Sequence, residues 1–589
     1  MPGAATVALS TSLGTALTTA ALAANISVFA AVAIGVVGTI IQTIVVSLVL
    51  GAISSALSSK PNVSGGSRGG APPDTSAIAK DRTVTFRQPV VAHRIIYGEV
   101  RVAGPITFVE STDDNEKLHQ LITIAGHPVQ EIGELWVNED KVTLSGTSIN
   151  SGDYSGKISV YVGDGSGGGD TALLSALTSA TSGWTVNHKQ LNRAKIYMVF
   201  NYDQDVFIGA LPNLSALVKG KKILDNRDGG TRYSNNPALC IYDYLTDTDV
   251  GVGEASTRID TDSFDTAAND CDEDVSVVMT RTFSTTHSTE LLTLSSEANG
   301  LRTGDKVGVE SDNTLPAGLS ATTDYFWIAL SNIAGYLATS KANAIAGTKV
   351  QFSDDGTGTH TIKRKQSRTF TATTADVVTL ASKIKELLTG DGLEVSNSGG
   401  ALPTGLSAST TYYWIRLTDT TGSLATTRLN ALAGTAIDIT GTGSGTNTIE
   451  RTVEARYTCN GTIDTSRTPK DILTQLLVSL HGSLVYQNGK WNLYSGVYRT
   501  PTITLDEDDM VGSIDIQVKL TRRESFNGVK GVFVSPADNY QPTDFPSVTN
   551  DTYLTEDQAE RTWKDADFQF TVSPSTAQRI SKIDLERAR

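Results

Sequence analysis

The first 59 residues carry no charged side chain, and Lys60 is the first ion of the chain. Residues 21–57 are almost wholly apolar, long enough to cross a hydrocarbon layer as a helix of about 20 residues with length to spare. The pattern predicts a hydrophobic helical segment over 1–58, followed at 59–83 by a Gly/Ser/Pro linker without periodicity, an extended tether. Behind it the pattern changes to short alternations. Residues 94–102 (RIIYGEVRV) put Ile96, Gly98, Val100 and Val102 on one face and Ile95, Tyr97, Glu99 and Arg101 on the other, which predicts a half-buried strand. Residues 121–125, 135–137 and 196–202 continue the strand series, and the glycine-rich run 163–169 is a loop.

Helical periodicity is confined to short pieces. Asn236 is placed to cap a helix starting at Pro237, with Leu239 and Tyr242 on one face. Asp262 is placed to cap a second, in which Phe264, Ala267, Ala268 and Cys271 share a face. Thr468 is placed to cap a third from Pro469, with Ile472, Leu473, Leu476, Leu477 and Leu480 as its apolar stripe and Gly482 as its stop. Residues 484–494 read as a hairpin centred on Asn488-Gly489, and 577–589 form a charged helical pattern. That last pattern ends without a cap, so the polypeptide is expected to continue past Arg589.

A repeat dominates the middle of the chain. Residues 279–365 recur at 366–452: Leu315-Pro-Ala-Gly-Leu-Ser-Ala-Thr-Thr-Asp-Tyr-Phe-Trp-Ile returns as Leu402-Pro-Thr-Gly-Leu-Ser-Ala-Ser-Thr-Thr-Tyr-Tyr-Trp-Ile. Two matching units with Gly/Asp/Asn turns predict a duplicated small β module, a sandwich or compact barrel. Tyr325, Trp327, Tyr412 and Trp414 are candidate glycan contacts, since sugar faces stack on such rings. Alternation along a strand puts Tyr325 with Trp327 on one face and Phe326 with Ile328 on the other, so one face is core, and core packing is favoured for the aromatic pair. The fold is therefore expected to be mainly β (α+β), with two inserted small β-sandwich-like modules between 84–278 and 453–589.

Charge and composition narrow the function. The net charge of −15 argues against a nucleic-acid-binding surface, which needs clustered Lys and Arg; it suits a passage that DNA must not stick to. Cys240, Cys271 and Cys459 show no metal-site spacing and read as small buried hydrophobes. The acids of 260–274 lack the turn glycine of an EF-hand and read as a solvated face. No H-E-x-x-H, G-x-S-x-G or Walker motif occurs, and the carboxylates Asp506, Asp508 and Asp509 sit in an acidic loop, so neither catalysis nor a cofactor is expected. A signal peptide would need a basic n-region before its apolar core, which is missing here. The apolar segment then reads either as a membrane anchor or as a helix that packs in an assembly through Ala31, Gly35 and Gly38, small residues that let backbones approach.

Several stretches, in order, resemble a known family. Arg87-Gln-Pro-Val, His93-Arg-Ile-Ile-Tyr-Gly-Glu-Val-Arg101, residues 119–126 (HQLITIAG) and Glu134-Leu-Trp-Val are similar to the opening of the central tail tip proteins of siphophages, the family of the host-specificity J protein of lambda-like phages. Leu211-Pro-Asn-Leu-Ser-Ala-Leu-Val-Lys-Gly220, Asn236-Pro-Ala-Leu239, Arg456-Tyr-Thr-Cys-Asn-Gly461 and Gly489-Lys-Trp491 extend the resemblance over 84–275 and 455–535. The repeats at 279–452 interrupt it and are expected to project from an exposed loop. The resemblance implies tube-like β-barrel hub domains, a homotrimer at the virion's tail tip, and DNA only in passage through its channel. Its partners are then the distal tail ring protein, other tail tip proteins and the end of the tape-measure protein. On that reading three uncharged segments bundle on the axis, with host membrane contact of residues 21–57 during ejection. The rival expectation is a membrane-anchored surface adhesin binding glycans through the repeats.

Overall fold

The computed structural model describes residues 83–88, 90–167, 170–207, 212–277, 280–295, 301–331, 333–501 and 525–589. The apolar segment with Ala31, Gly35 and Gly38, most of the linker, and the Asp506 to Asp509 loop lie outside the described residues. The fold is mainly β with short helices. No helix of the described residues is long and apolar enough to cross a membrane.

The described residues on the two sides of the repeats form the body that carries them, called the hub for that position alone; in its first part, a six-stranded antiparallel sheet faces a four-stranded one made of Glu99–Val102, Leu214–Lys219, Glu131–Val137 and Asp140–Val142. Val100, Val102, Ile122, Ile124, Ile196 and Val218 fill the space between them. The other face of the larger sheet is covered by helix Thr171–Ala180 through Leu173 and Leu177 against Leu121 and Tyr197. The alternating run 94–102 is two buried strands rather than one half-buried strand. Gly98 breaks it with φ +64°, where a Cβ would stand 2.2 Å from the Cys459 carbonyl oxygen, so only glycine fits. Arg94–Tyr97 turns away to pair with Gly461–Asp464, and Glu99–Val102 joins the four-stranded sheet.

That turn stitches the two hub parts together. Ile95 and Tyr97 share one core with Tyr457, Cys459, Ile463, Phe568, Phe570 and Leu585, and with the helices Pro237–Thr246, Thr261–Asp272 and Pro469–Val478. Asn236 and Thr468 cap their helices as the sequence predicts, accepting from Ala238 N and Asp471 N. The middle helix starts earlier than expected: Asp260, not Asp262, accepts from Ser263 N at 3.0 Å. The hairpin Ser483–Gln487 with Lys490–Tyr494 turns on Asn488 and Gly489, both with positive φ. Gly528–Ser535 and Trp563–Phe568 form a parallel pair, backed by helix Pro574–Arg587.

Each repeat closes into a six-stranded antiparallel barrel, where a sandwich had been one expectation. In the first, the ring runs Thr280–Thr286, Leu291–Leu294, Ala334–Ala338, Tyr325–Ala329, Lys306–Ser311 and His360–Arg364. The second repeats the order, and Gly392–Ser398 pairs with both Thr411–Arg416 and Thr446–Ala455 to close it. The short helices Lys341–Ala346 and Arg428–Ala433 also match, capped by Ser340 and Thr427 and stopped by left-handed Gly347 and Gly434.

Candidate functional site

The repeats join the hub at one sheet edge. Asp274–Ser276, the last strand before them, pairs with the end of Thr446–Ala455, so the final strand of the second barrel runs on into the hub. Around this root the second barrel buries charge against the hub. Arg416 Nη2 lies 2.9 Å from Glu134 and 2.8 Å from Asp419, and Nη1 lies 3.8 Å from Glu99, whose carboxylate accepts the Tyr540 hydroxyl at 2.7 Å. Lys141 bridges Glu134 and Asp419 at 2.6 and 3.1 Å. Burial opposes ionisation of Arg416, but Glu99 and Glu134 outweigh it and hold its pKa above the usual value. Burial likewise opposes the Asp419 carboxylate, and the hydrogen bond from Arg416 with the charges of Lys141 and Lys383 still brings it down to about 2.

A second buried group sits beside it. Arg451 Nε donates to Asp391 at 2.9 Å and Nη2 to Glu454 at 3.0 Å, and Glu454 also accepts from Ser573, Thr576 and Arg579. Arg428 pairs with Asp274, which accepts the Tyr413 hydroxyl at 2.5 Å. Between the charged groups, Leu388 packs on Trp136, Leu217, Val534, Tyr540 and Val572. Arg101, fully buried on the hub side, stacks 4.7 Å above the Trp136 ring and donates to Ser215, Glu139 and the carbonyls of Asn138 and Asn539. The arrangement fixes position: every charge named has a partner, and the apolar contacts exclude water.

The four candidate glycan contacts are placed in the barrel interiors, the core packing that strand alternation favours over a sugar site. Tyr325, Trp327, Tyr412 and Trp414 are at most 5% exposed, so no ring face is open to stack on a sugar. Each Trp lies flat on the glycine of the neighbouring strand, Gly335 or Gly422, where a Cβ would come within 2.3 Å of Cζ2. Both tyrosine hydroxyls accept from a backbone N–H, of Ser320 and Ser407. The cysteines are all buried and free. Among the described residues no group of three or more His, Cys, Asp or Glu is arranged to hold a metal ion. Two of the best-formed cavities hold about 50 and 20 Å³, room for a few waters at most and far below the roughly 300 Å³ at which ligand pockets start. The second of these, lined by Asp391, Arg451 and Glu454, belongs to the root itself. Sequence reasoning missed Arg416, Glu134, Arg451 and Glu454, because an ion within an alternating strand reads as a solvated position.

No family model matches the chain, and no curated protein matches it. Among solved structures it is similar to a chain described as "Virion of native gene transfer agent (GTA) particle", at 10% sequence identity and a TM-score of 0.37, over 86% of this chain and 75% of that one.

Proposed function

We propose that the chain is the structural hub of a phage-type tail tip, a homotrimer that closes the end of the tail tube and guides DNA and the tape-measure protein outward. The observation that carries the reading is the split hub. Residues on both sides of the repeats share one core, and the strand Arg94–Tyr97 pairs with Gly461–Asp464 across the insertion. The motifs that resemble siphophage tip proteins fall on that continuous body, and the interruption falls on two self-contained barrels. The acidic balance suits a DNA passage, since a wall of like charge does not hold the polymer.

In this reading the second barrel is a fixed collar on the hub, and the first projects as an accessory. The uncharged N-terminal segments are proposed to bundle on the threefold axis through Ala31, Gly35 and Gly38, meeting the tape-measure end and later the host membrane. The remaining partners are the distal tail ring protein and other tail tip proteins. The test is a cryo-EM map of the assembled particle with this chain located in it. Three copies around the tail axis are expected; a single copy, or a position off the axis, overturns the proposal.

A further inference from the structure

The two barrels are copies, yet among the described residues only the second has its helix face covered. In the second barrel, helix Arg428–Ala433 packs on the hub strand Gly230–Tyr233, Arg428 reaches Asp274 and stacks 5.6 Å from the Tyr413 ring, and Leu432 is half-buried. The repeat alignment puts Lys341 in the place of Arg428, Phe326 in that of Tyr413 and Ile345 in that of Leu432. In the first barrel helix Lys341–Ala346 packs on its own strands Tyr325–Ala329 and Ala334–Ala338, while Lys341 is exposed and Ile345 is 69% exposed. A cation, an aromatic ring and an aliphatic side chain thus recur at the positions that grip the hub in the sister barrel, but here Lys341 and Ile345 face solvent, beside a Phe326 half-buried against Ile328, Ala338 and Ala344.

We propose that the face of the first barrel carrying Phe326, Lys341 and Ile345 is a docking surface for the acidic hub of a second copy of this chain. Its sister face already binds this chain's hub, through a carboxylate beside apolar contacts. Charge points the same way. Residues 279–365 hold eight basic and eight acidic side chains and residues 366–452 six and seven, so a net −14 of the chain's −15 lies outside the repeats. The cationic position at Lys341 therefore complements hub surface, and the surface its sister uses on its own hub is already occupied. The inference rests on the multi-copy assembly proposed above.

The test uses the full chain, assembled from a mixture of unlabelled and ¹⁵N-labelled copies and coupled with a water-soluble carbodiimide, which joins amines to carboxylates in contact. Peptides linking Lys341 to hub carboxylates (residues 84–277 or 453–589) are expected in mixed-isotope pairs. Ile345→Asp, at a solvent-facing position that does not disturb the barrel, is expected to lower their yield about tenfold, the effect of one buried contact residue, with the particle mass unchanged. Same-isotope links only, no Lys341 links, or yields indifferent to Ile345→Asp overturn the docking surface. A trimer without these links leaves the hub reading standing, whereas a monomer removes both.

Discussion

Arg416 of the second barrel meets Glu134 of the hub at 2.9 Å, although 282 residues separate them in the chain. With its side chain 10% exposed, the arginine is the counter-ion for a group of hub carboxylates that includes Glu99. Removing it leaves Glu99 buried without its counter-ion, while Lys141 still holds Glu134 and Asp419, and a stranded charge costs more than the pair itself contributes. Arg416→Met is expected to destabilise the hub by about 3–5 kcal/mol, read from urea unfolding. The loss should shrink when Glu134→Gln is added, because the two sites are directly coupled.

Trp327 and Trp414 fill equivalent barrels. Replacing either by Ala removes the largest core side chain, and a loss of about 3–5 kcal/mol is expected for that barrel. Gly335→Ala and Gly422→Ala press a methyl group into the same rings and should cost about 1–3 kcal/mol by overpacking. Calorimetry separates the cases: Trp327→Ala should lower a transition of the first barrel and leave the hub transition in place, since the barrel's core is its own. A hub transition that moves equally with Trp327→Ala would show that the first barrel does not melt independently.

Much of this architecture is legible in the sequence because it depends on local chemistry. Asn236, Thr468 and the Asn488-Gly489 turn act on backbone groups two or three residues away, and the repeat declares itself by identity. What escapes is set by distant contacts. Period-two alternation gives no sign that residue 98 has no room for a Cβ, because the carbonyl that excludes one belongs to Cys459. Asp260 caps in place of the expected Asp262, in a helix Thr261–Asp272 that seats Phe264 and Cys271 in the core, and that core draws on distant segments. Arg101, Lys195 and Arg451 look like the solvated side of strands until partners from other segments bury them.

His127 supplies a pH dependence. Its Nε2 accepts from Ile96 N at 2.9 Å, and Nδ1 donates to the Pro128 carbonyl at 2.7 Å, so the buried ring is neutral. Burial lowers its pKa to about 4. The unfolded chain, titrating near 6.5, binds the proton first, so stability rises with pH between about 4 and 6.5 and the contribution is complete above that window. Between pH 7.5 and 5.0 this site alone should remove about 2 kcal/mol. His127→Asn should lose overall stability but show a correspondingly smaller fall across the same interval in urea titrations; an identical fall in both proteins refutes the assignment.

Lys195 and Asp170 form an ion pair with side chains 0% and 1% exposed, Nζ to Oδ2 2.5 Å. Nζ also donates to the carbonyls of Gln190 and Arg193, and the other Asp170 oxygen accepts from Gly165 N, so both charges are fully bonded beneath helix Thr171–Ala180. Lys195→Met strands a buried carboxylate and should cost about 3–5 kcal/mol. Adding Asp170→Leu removes that charge, and what remains unpaired is the Gly165 N–H with the Gln190 and Arg193 carbonyls. The double variant should therefore be more stable than Lys195→Met, with a remaining deficit from the parent of about 1–3 kcal/mol for each buried group left without a partner. The measurement is the urea midpoint of all three variants, with Asp170→Leu completing the cycle. A double variant no more stable than Lys195→Met would mean that the site is held by the packing of Lys195's aliphatic stem, with the ion pair contributing little.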